Sequence, residues 1–79
     1  MHVRVLVQLK KGILDPQGKA VEQSLRDLGF DPQDLRIGRS IEFQITAQTE
    51  SEAREKAQKM CDALLVNGVM EKSTIEVLG

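Results

Sequence analysis

Cysteine, histidine and aromatic side chains are nearly missing from this chain. The one cysteine, Cys61, cannot form an internal disulfide. The one histidine, His2, sits at the N-terminus, where order is lost first, so a Ser/His/Asp or Cys/His catalytic arrangement has little to build on. Zinc would lack its Cys and His ligands, and the C-x-x-C on which copper-carrying domains of similar size depend is absent. With no Trp or Tyr, and only Phe30 and Phe43, the chain lacks the stacking platforms of a single-stranded nucleic-acid reader. No apolar run approaches the ~20 residues of a membrane span, and no segment resembles a signal peptide. These absences predict a cytoplasmic protein without a nucleic-acid or membrane partner. The six glycines form neither a G-x-G-x-x-G nor a Walker loop.

Charge of one sign is also lacking. Eleven Lys and Arg against twelve Asp and Glu leave a net charge of −1, so no whole-chain field attracts polyanions, and a neutral partner surface is expected. Seventy-nine residues make one domain, 1–79. A chain of this length buries only about 60 to 65% of the surface it exposes when unfolded, so association with itself or a partner would help.

Within these limits the pattern is clear. Val3, Val5, Val7 and Leu9 alternate with His2, Arg4, Leu6, Gln8 and Lys10, as in a half-buried strand. At Pro16 the period changes: Val21, Leu25 and Leu28 recur at helical spacing, with Asp15 as N-cap and Pro16 at the first helical position. Gly29 can take the left-handed conformation past Leu28, which would return Phe30 onto Leu25 in a Schellman motif. From Leu35 to Ala47 the period is again two, interrupted by Gly38, which predicts either two strands joined by a tight turn or one strand bent at a bulge. Thr49 and Glu52 form a capping box for a second helix ending near Val66, with Ala53, Ala57, Met60, Cys61, Leu64 and Leu65 as its buried stripe. Glu52 with Lys56 and Glu55 with Lys59 stand at i,i+4 on its solvated face. Asn67-Gly68 ends this helix, and a last strand starts near Ser73.

The order β-α-β(β)-α-β predicts an α+β fold of the ferredoxin-like kind, a two-layer sandwich with two helices on one face of a small, mostly antiparallel sheet. The other face carries Arg4, Leu6, Gln8, Glu42, Gln44, Thr46, Thr74, Glu76 and Leu78, suited to solvent or to stacking on a second copy.

Two places resist a purely structural reading. Gly18 lies in the first turn of the first helix, where Gly is roughly 1 kcal/mol worse than Ala, which suggests that something approaches the backbone there. In Arg36-Ile37-Gly38-Arg39 two guanidinium groups flank a glycine, an arrangement fit for a phosphate or a partner's carboxylate, or simply an exposed turn. Cys61, among Met60 and Leu64, reads as a small core residue, and the carboxylates fall at caps, turns or a solvated face.

Leu14-Asp15-Pro16-Gln17-Gly18 before Ala20-Val21, then Leu28-Gly29, Leu35-Arg36-Ile37-Gly38, Met60-Cys61 and Leu64-Leu65-Val66-Asn67 together resemble one family over nearly the whole chain. It is PurS, the small subunit of phosphoribosylformylglycinamidine synthase, and the length agrees with that of a stand-alone member. The sequence departs from the family pattern at Gly68, where Pro is common, and near Lys72-Ser73, where an aromatic is common. The resemblance implies a role in purine biosynthesis within a complex that uses ATP and glutamine. It implies no catalysis and no cofactor on this chain, with ATP and magnesium on a large synthetase subunit, ammonia released by a separate glutaminase subunit, and the small subunit a dimer or dimer of dimers joining them. Docking to those partners is then expected at Asp15, Pro16, Gln17, Gly18, Arg36, Gly38 and Arg39. A small-molecule regulatory module of the ACT kind, using Gly12 and Gly18, is the alternative of another class; an acylphosphatase-like hydrolase lacks a phosphate cradle in the first loop.

Overall fold

The alternation of residues 2–10 becomes the central strand of the protein, whose computed structural model describes residues 1–79. Strand β1 spans His2–Leu9 and is flanked by β2 (Arg39–Gln44) and β3 (Glu71–Val77) in a sheet of order β2-β1-β3, both pairings antiparallel. The register sets Val3 opposite Phe43 and Val77, and Val5 opposite Ile41 and Ile75. Paired residues project to the same side, so these side chains make one apolar face. Helix α2 (Glu50–Met60) lays Ala53 and Ala57 on that face, and with Cys61 they bury Val3, Val5 and Val7 completely or nearly so. Small alanines let the helix approach closely, so the core is β-branched on one side and small on the other.

The opposite face is polar, as the alternation requires. Glu42, Arg4 and Glu76 lie in one cross-strand row, and the Arg4 guanidinium donates to both carboxylate oxygens of Glu76 at 3.3 and 3.1 Å. His2 Nε2 lies 3.4 Å from Glu42.

Both helix starts follow their caps. The Asp15 side chain accepts from the Gly18 N–H, and Pro16 opens α1 (Pro16–Asp27). Thr49 accepts from the Glu52 N–H, while the Glu52 carboxylate accepts from the Gln48 N–H. Gly29, at φ +94°, ends α1 in a Schellman turn, with Phe30 N–H donating to the Leu25 carbonyl and Gly29 N–H to that of Arg26. On α2 the Glu52–Lys56 pair forms, whereas Glu50–Arg54 rather than Glu55–Lys59 supplies the second.

The class is α+β with the expected element order, but α1 does not lie on the sheet. None of its Cα atoms comes within 8 Å of a Cα in any strand or in α2, and the expected placement of two helices over one face is corrected to one. Helix α1 and the chain returning from it form an arm beyond the end of the sheet, and the molecule measures 50 × 25 × 14 Å. Its intended core stripe is therefore covered only in part: Val21 and Leu28 are exposed, Leu28 at 74%, while Leu25 is half-buried, and Phe30 beyond the helix is 62% exposed.

Three boundaries also change. The segment before Gly38 is not a strand, because the Ile37 N–H donates to the Asp15 carboxylate instead of a sheet neighbour; pairing begins at Arg39. The second helix passes at Cys61–Leu65 into a π-helical turn, whose wider repeat swings Leu64 out to 86% exposure and leaves Met60 at the surface. Strand β3 begins at Glu71, two residues earlier than expected, because the Asn67–Glu71 turn closes directly through Glu71 N–H to the Asn67 carbonyl.

Candidate functional site

Asp15 is the one charged side chain that the fold buries, at 6% exposure. Its two carboxylate oxygens serve two segments. Oδ1 accepts from Gly18 N–H at 2.9 Å, closing the first turn of α1, and Oδ2 accepts from Ile37 N–H at 2.7 Å, fixing the returning chain against that turn. These bonds to Ile37 and Gly18, aided by the nearby Arg36 charge and the Gln17 N–H, hold the carboxyl below the usual carboxylate range despite its burial. Arg36 completes the corner from the other side, its guanidinium donating to the Ile13 carbonyl at 2.8 Å.

The glycines are explained by this corner. A Cβ on Gly18 would lie 2.7 Å from Asp15 Oδ2 and 2.8 Å from the Leu35 carbonyl oxygen. The backbone approach suggested by the sequence is thus made by the chain itself, which corrects the reading of Gly18 as a residue the local structure does not require. A Cβ on Gly38 would lie 2.5 Å from the Val7 carbonyl oxygen, so Gly38 is where the chain crosses against β1 to enter β2.

Arg39 turns inward at the same end of the sheet. Its guanidinium pairs with both oxygens of Glu71 and donates to the Leu65 carbonyl at the end of the π-helical turn. Glu71 also accepts from Asn67 N–H at 2.8 Å, and Arg39 and then Asn67 hold its carboxyl below the usual range. Sequence reasoning missed Glu71, although an acid opening the last strand opposite the arginine that opens β2 was a usable signal.

Between these two clasps lies a shallow cleft of about 310 Å³, lined by Val7, Leu9, Asp15, Pro16, Gln17, Ile37, Gly38, Arg39 and Glu71. Five of the seven residues singled out from the sequence therefore converge, namely Asp15, Pro16, Gln17, Gly38 and Arg39; Gly18 is buried beside Asp15 and Arg36 faces the 10–13 loop. Pro16 and Gln17 are exposed. The charged groups of the cleft are already partnered: Asp15 by two backbone N–H groups, and Arg39 and Glu71 by each other. An acid or base with its own hydrogen bonds made is poorly placed to exchange protons with a substrate. Cys61 is buried, which pushes its thiol up, and no three His, Cys, Asp or Glu side chains converge as a metal site requires.

The family model for PurS, phosphoribosylformylglycinamidine (FGAM) synthase, matches residues 2–79. The chain belongs to the PurS family. PurS is a subunit of FGAM synthase in the purine biosynthetic pathway. The FGAM synthase subunit PurS of a Synechocystis strain is 40% identical over 77 residues, covering 96% of this chain and 77% of that protein. The PurS subunit structure from Thermotoga maritima matches with a TM-score of 0.88 at 33% identity, covering 95% of this chain and 87% of that one. A chain in the structure of PurLQS from Thermotoga maritima matches with a TM-score of 0.84 at 32% identity, covering 96% of each. The PurS neighbours therefore share the α+β fold of this chain, arm included in the covered length.

Two outcomes follow from the geometry of the corner. Gly18→Ala is expected to lower stability by roughly 1 to 3 kcal/mol, because a new Cβ must displace a carboxylate and a backbone carbonyl. Gly68→Ala, with nothing within 4 Å, should stay within about 0.5 kcal/mol of the parent in the same urea titration. For Asp15, a lowered folded value means that the folded chain binds the proton less readily than the unfolded one. Its contribution is therefore complete above the ordinary carboxylate value of about 3.9 and is lost as pH falls through the lower folded value. Thermal unfolding followed from pH 6 downward, through about pH 4, should show a steeper fall in Tm for the parent than for Asp15→Asn; equal slopes would contradict it.

Proposed function

We propose that this chain acts without chemistry of its own, as the subunit that joins a large synthetase subunit and a glutaminase subunit in FGAM synthase. The observation that carries this reading is the state of the cleft: Asp15, Arg39 and Glu71 already have partners within the chain, so the corner offers shape and the exposed Pro16-Gln17 surface rather than reactive groups. Docking is assigned to the outer surface of this corner, with Asp15, Gly18, Arg36, Gly38 and Arg39 setting its form and Pro16 and Gln17 meeting the partner. ATP and magnesium belong on the large subunit, the setting is the cytoplasm, and the chain works as a homo-oligomer. No helix is long and apolar enough to cross a membrane.

The regulatory-module alternative loses its motivation at Gly18. The space that a bound amino acid would need beside that backbone is filled by Asp15 and Leu35.

Coexpression with the large subunit and the glutaminase, with and without this chain, tests the proposal through glutamine-dependent turnover. Turnover should fall at least tenfold when the chain is omitted and return when it is added back. Turnover that is unchanged by omission would sink the reading.

A further inference from the structure

Four of the five arginines, Arg4, Arg26, Arg39 and Arg54, hold a carboxylate within the chain. Arg36 does not. It lines a second cleft, of about 360 Å³, with Lys11, Lys72, Asp34, Gln8 and Leu9, and neither lysine has an ion-pair partner. The cleft exists because the sheet stops short. Strand β2 begins at Arg39, opposite Val7, so nothing pairs with Gln8 on that side of β1, while Lys72 stands opposite Gln8 on the other. The chain that would have continued β2 is drawn to Asp15 through Ile37, and residues Asp34 and Arg36 bound the gap that this leaves.

Arg36 is fixed in place. Its Nη2 donates to the Ile13 carbonyl at 2.8 Å and to the Lys10 carbonyl at 3.4 Å, which ties the guanidinium to the loop that carries Lys11 and leaves its other nitrogens free to donate. Asp34 takes φ +53°, the one non-glycine residue with a positive φ, and held bends of this kind collect at ligand sites. Three cations around a single acid repel one another, a cost that an anion in the cleft removes.

We propose that this cleft binds a phosphate dianion, as the free ion or as the end of a phosphate monoester, with Arg36 donating from its planar guanidinium and Lys11 and Lys72 acting as point charges. The proposal goes beyond the assembly role and does not depend on it. A phosphate monoester carries a charge of about −1.5 to −2 near neutral pH and three strong acceptor oxygens, which three cations converging from three segments match. A single carboxylate offers less of both. The volume lies in the range of small-molecule sites, roughly 300–1,000 Å³. No single segment carries the site: Lys11 follows β1, Arg36 lies on the chain returning from α1, and Lys72 is in β3, so only the fold brings them together.

Titration of the isotope-labelled full chain with inorganic phosphate and with glycerol phosphate, followed through amide chemical shifts at constant ionic strength, tests the site. Saturable shifts should centre on Gln8, Lys11, Asp34, Arg36 and Lys72. Lys11→Gln and Lys72→Gln change exposed side chains, so folding should survive, and each should weaken binding roughly tenfold. Lys59→Gln, which removes the same charge from the exposed face of α2, should leave binding unchanged. Malonate, a dicarboxylate of similar charge, should bind several-fold more weakly than phosphate. Tighter binding of glycerol phosphate assigns the site to an ester and equal or weaker binding to the free ion, and either sustains it. Shifts that do not saturate, an equal loss with Lys59→Gln, or malonate bound as tightly as phosphate would each overturn the proposal. So would a parent that binds no phosphate while both lysine variants lose affinity for the synthetase subunit, since the cations would then serve an acidic surface of that partner.

Discussion

A single carboxylate determines the shape of this molecule. Asp15 sits where β1 has ended and α1 begins, and its two oxygens bind the N–H of Gly18 within the helix and the N–H of Ile37 at the other end of the arm. The first bond is an ordinary N-cap. The second spans 22 positions of sequence and decides where the helix points, because it fastens the start of α1 to the segment that enters β2. Gly18 must lack a side chain for this closure, Gly38 must lack one for the entry into β2, and Arg36 backs the corner from outside. The D-P-Q-G and R-I-G elements of the PurS pattern are thus two halves of one joint.

The joint has a cost and a use. It keeps α1 off the sheet, exposing apolar side chains that a monomer of this size would normally bury, and leaves a core of Val3, Val5, Val7, Ala53, Ala57 and Cys61. The connecting role proposed for this chain gains from such an arrangement, since an extended arm and an open sheet face offer more surface than a closed sandwich. The internally paired cleft fits the same role. Fixed charges that have already found partners shape a surface without attracting small ligands to it.

How much of this was legible in the sequence depended on the range of the interaction. The caps at Asp15 and Thr49, the Schellman turn at Gly29 and the alternation of β1 are set by neighbours within a few residues, and all appear as the sequence indicates. The direction of α1 is set by the distant bond to Ile37, and its apolar stripe reads the same whether the cover comes from its own sheet or from elsewhere. Gly18 stood out as unusual, but the group pressing on it lies in the returning chain and carries no local signal. The π-helical turn at Cys61–Leu65 escaped notice because one extra residue in a turn leaves the apolar spacing nearly helical while moving Leu64 to the surface. The Arg39–Glu71 clasp required the register of two strands on either side of β1.

The claim on which the rest stands is that the Asp15 carboxylate holds Ile37 and so sets the arm. Amide hydrogen exchange, resolved by residue in the parent and in Asp15→Ala, measures this directly. The account predicts that the Ile37 and Gly18 amides are protected in the parent and lose that protection in the variant, while the amides of Val5 and Ile75 in the sheet keep theirs. An Ile37 amide equally protected with and without the carboxylate would contradict it.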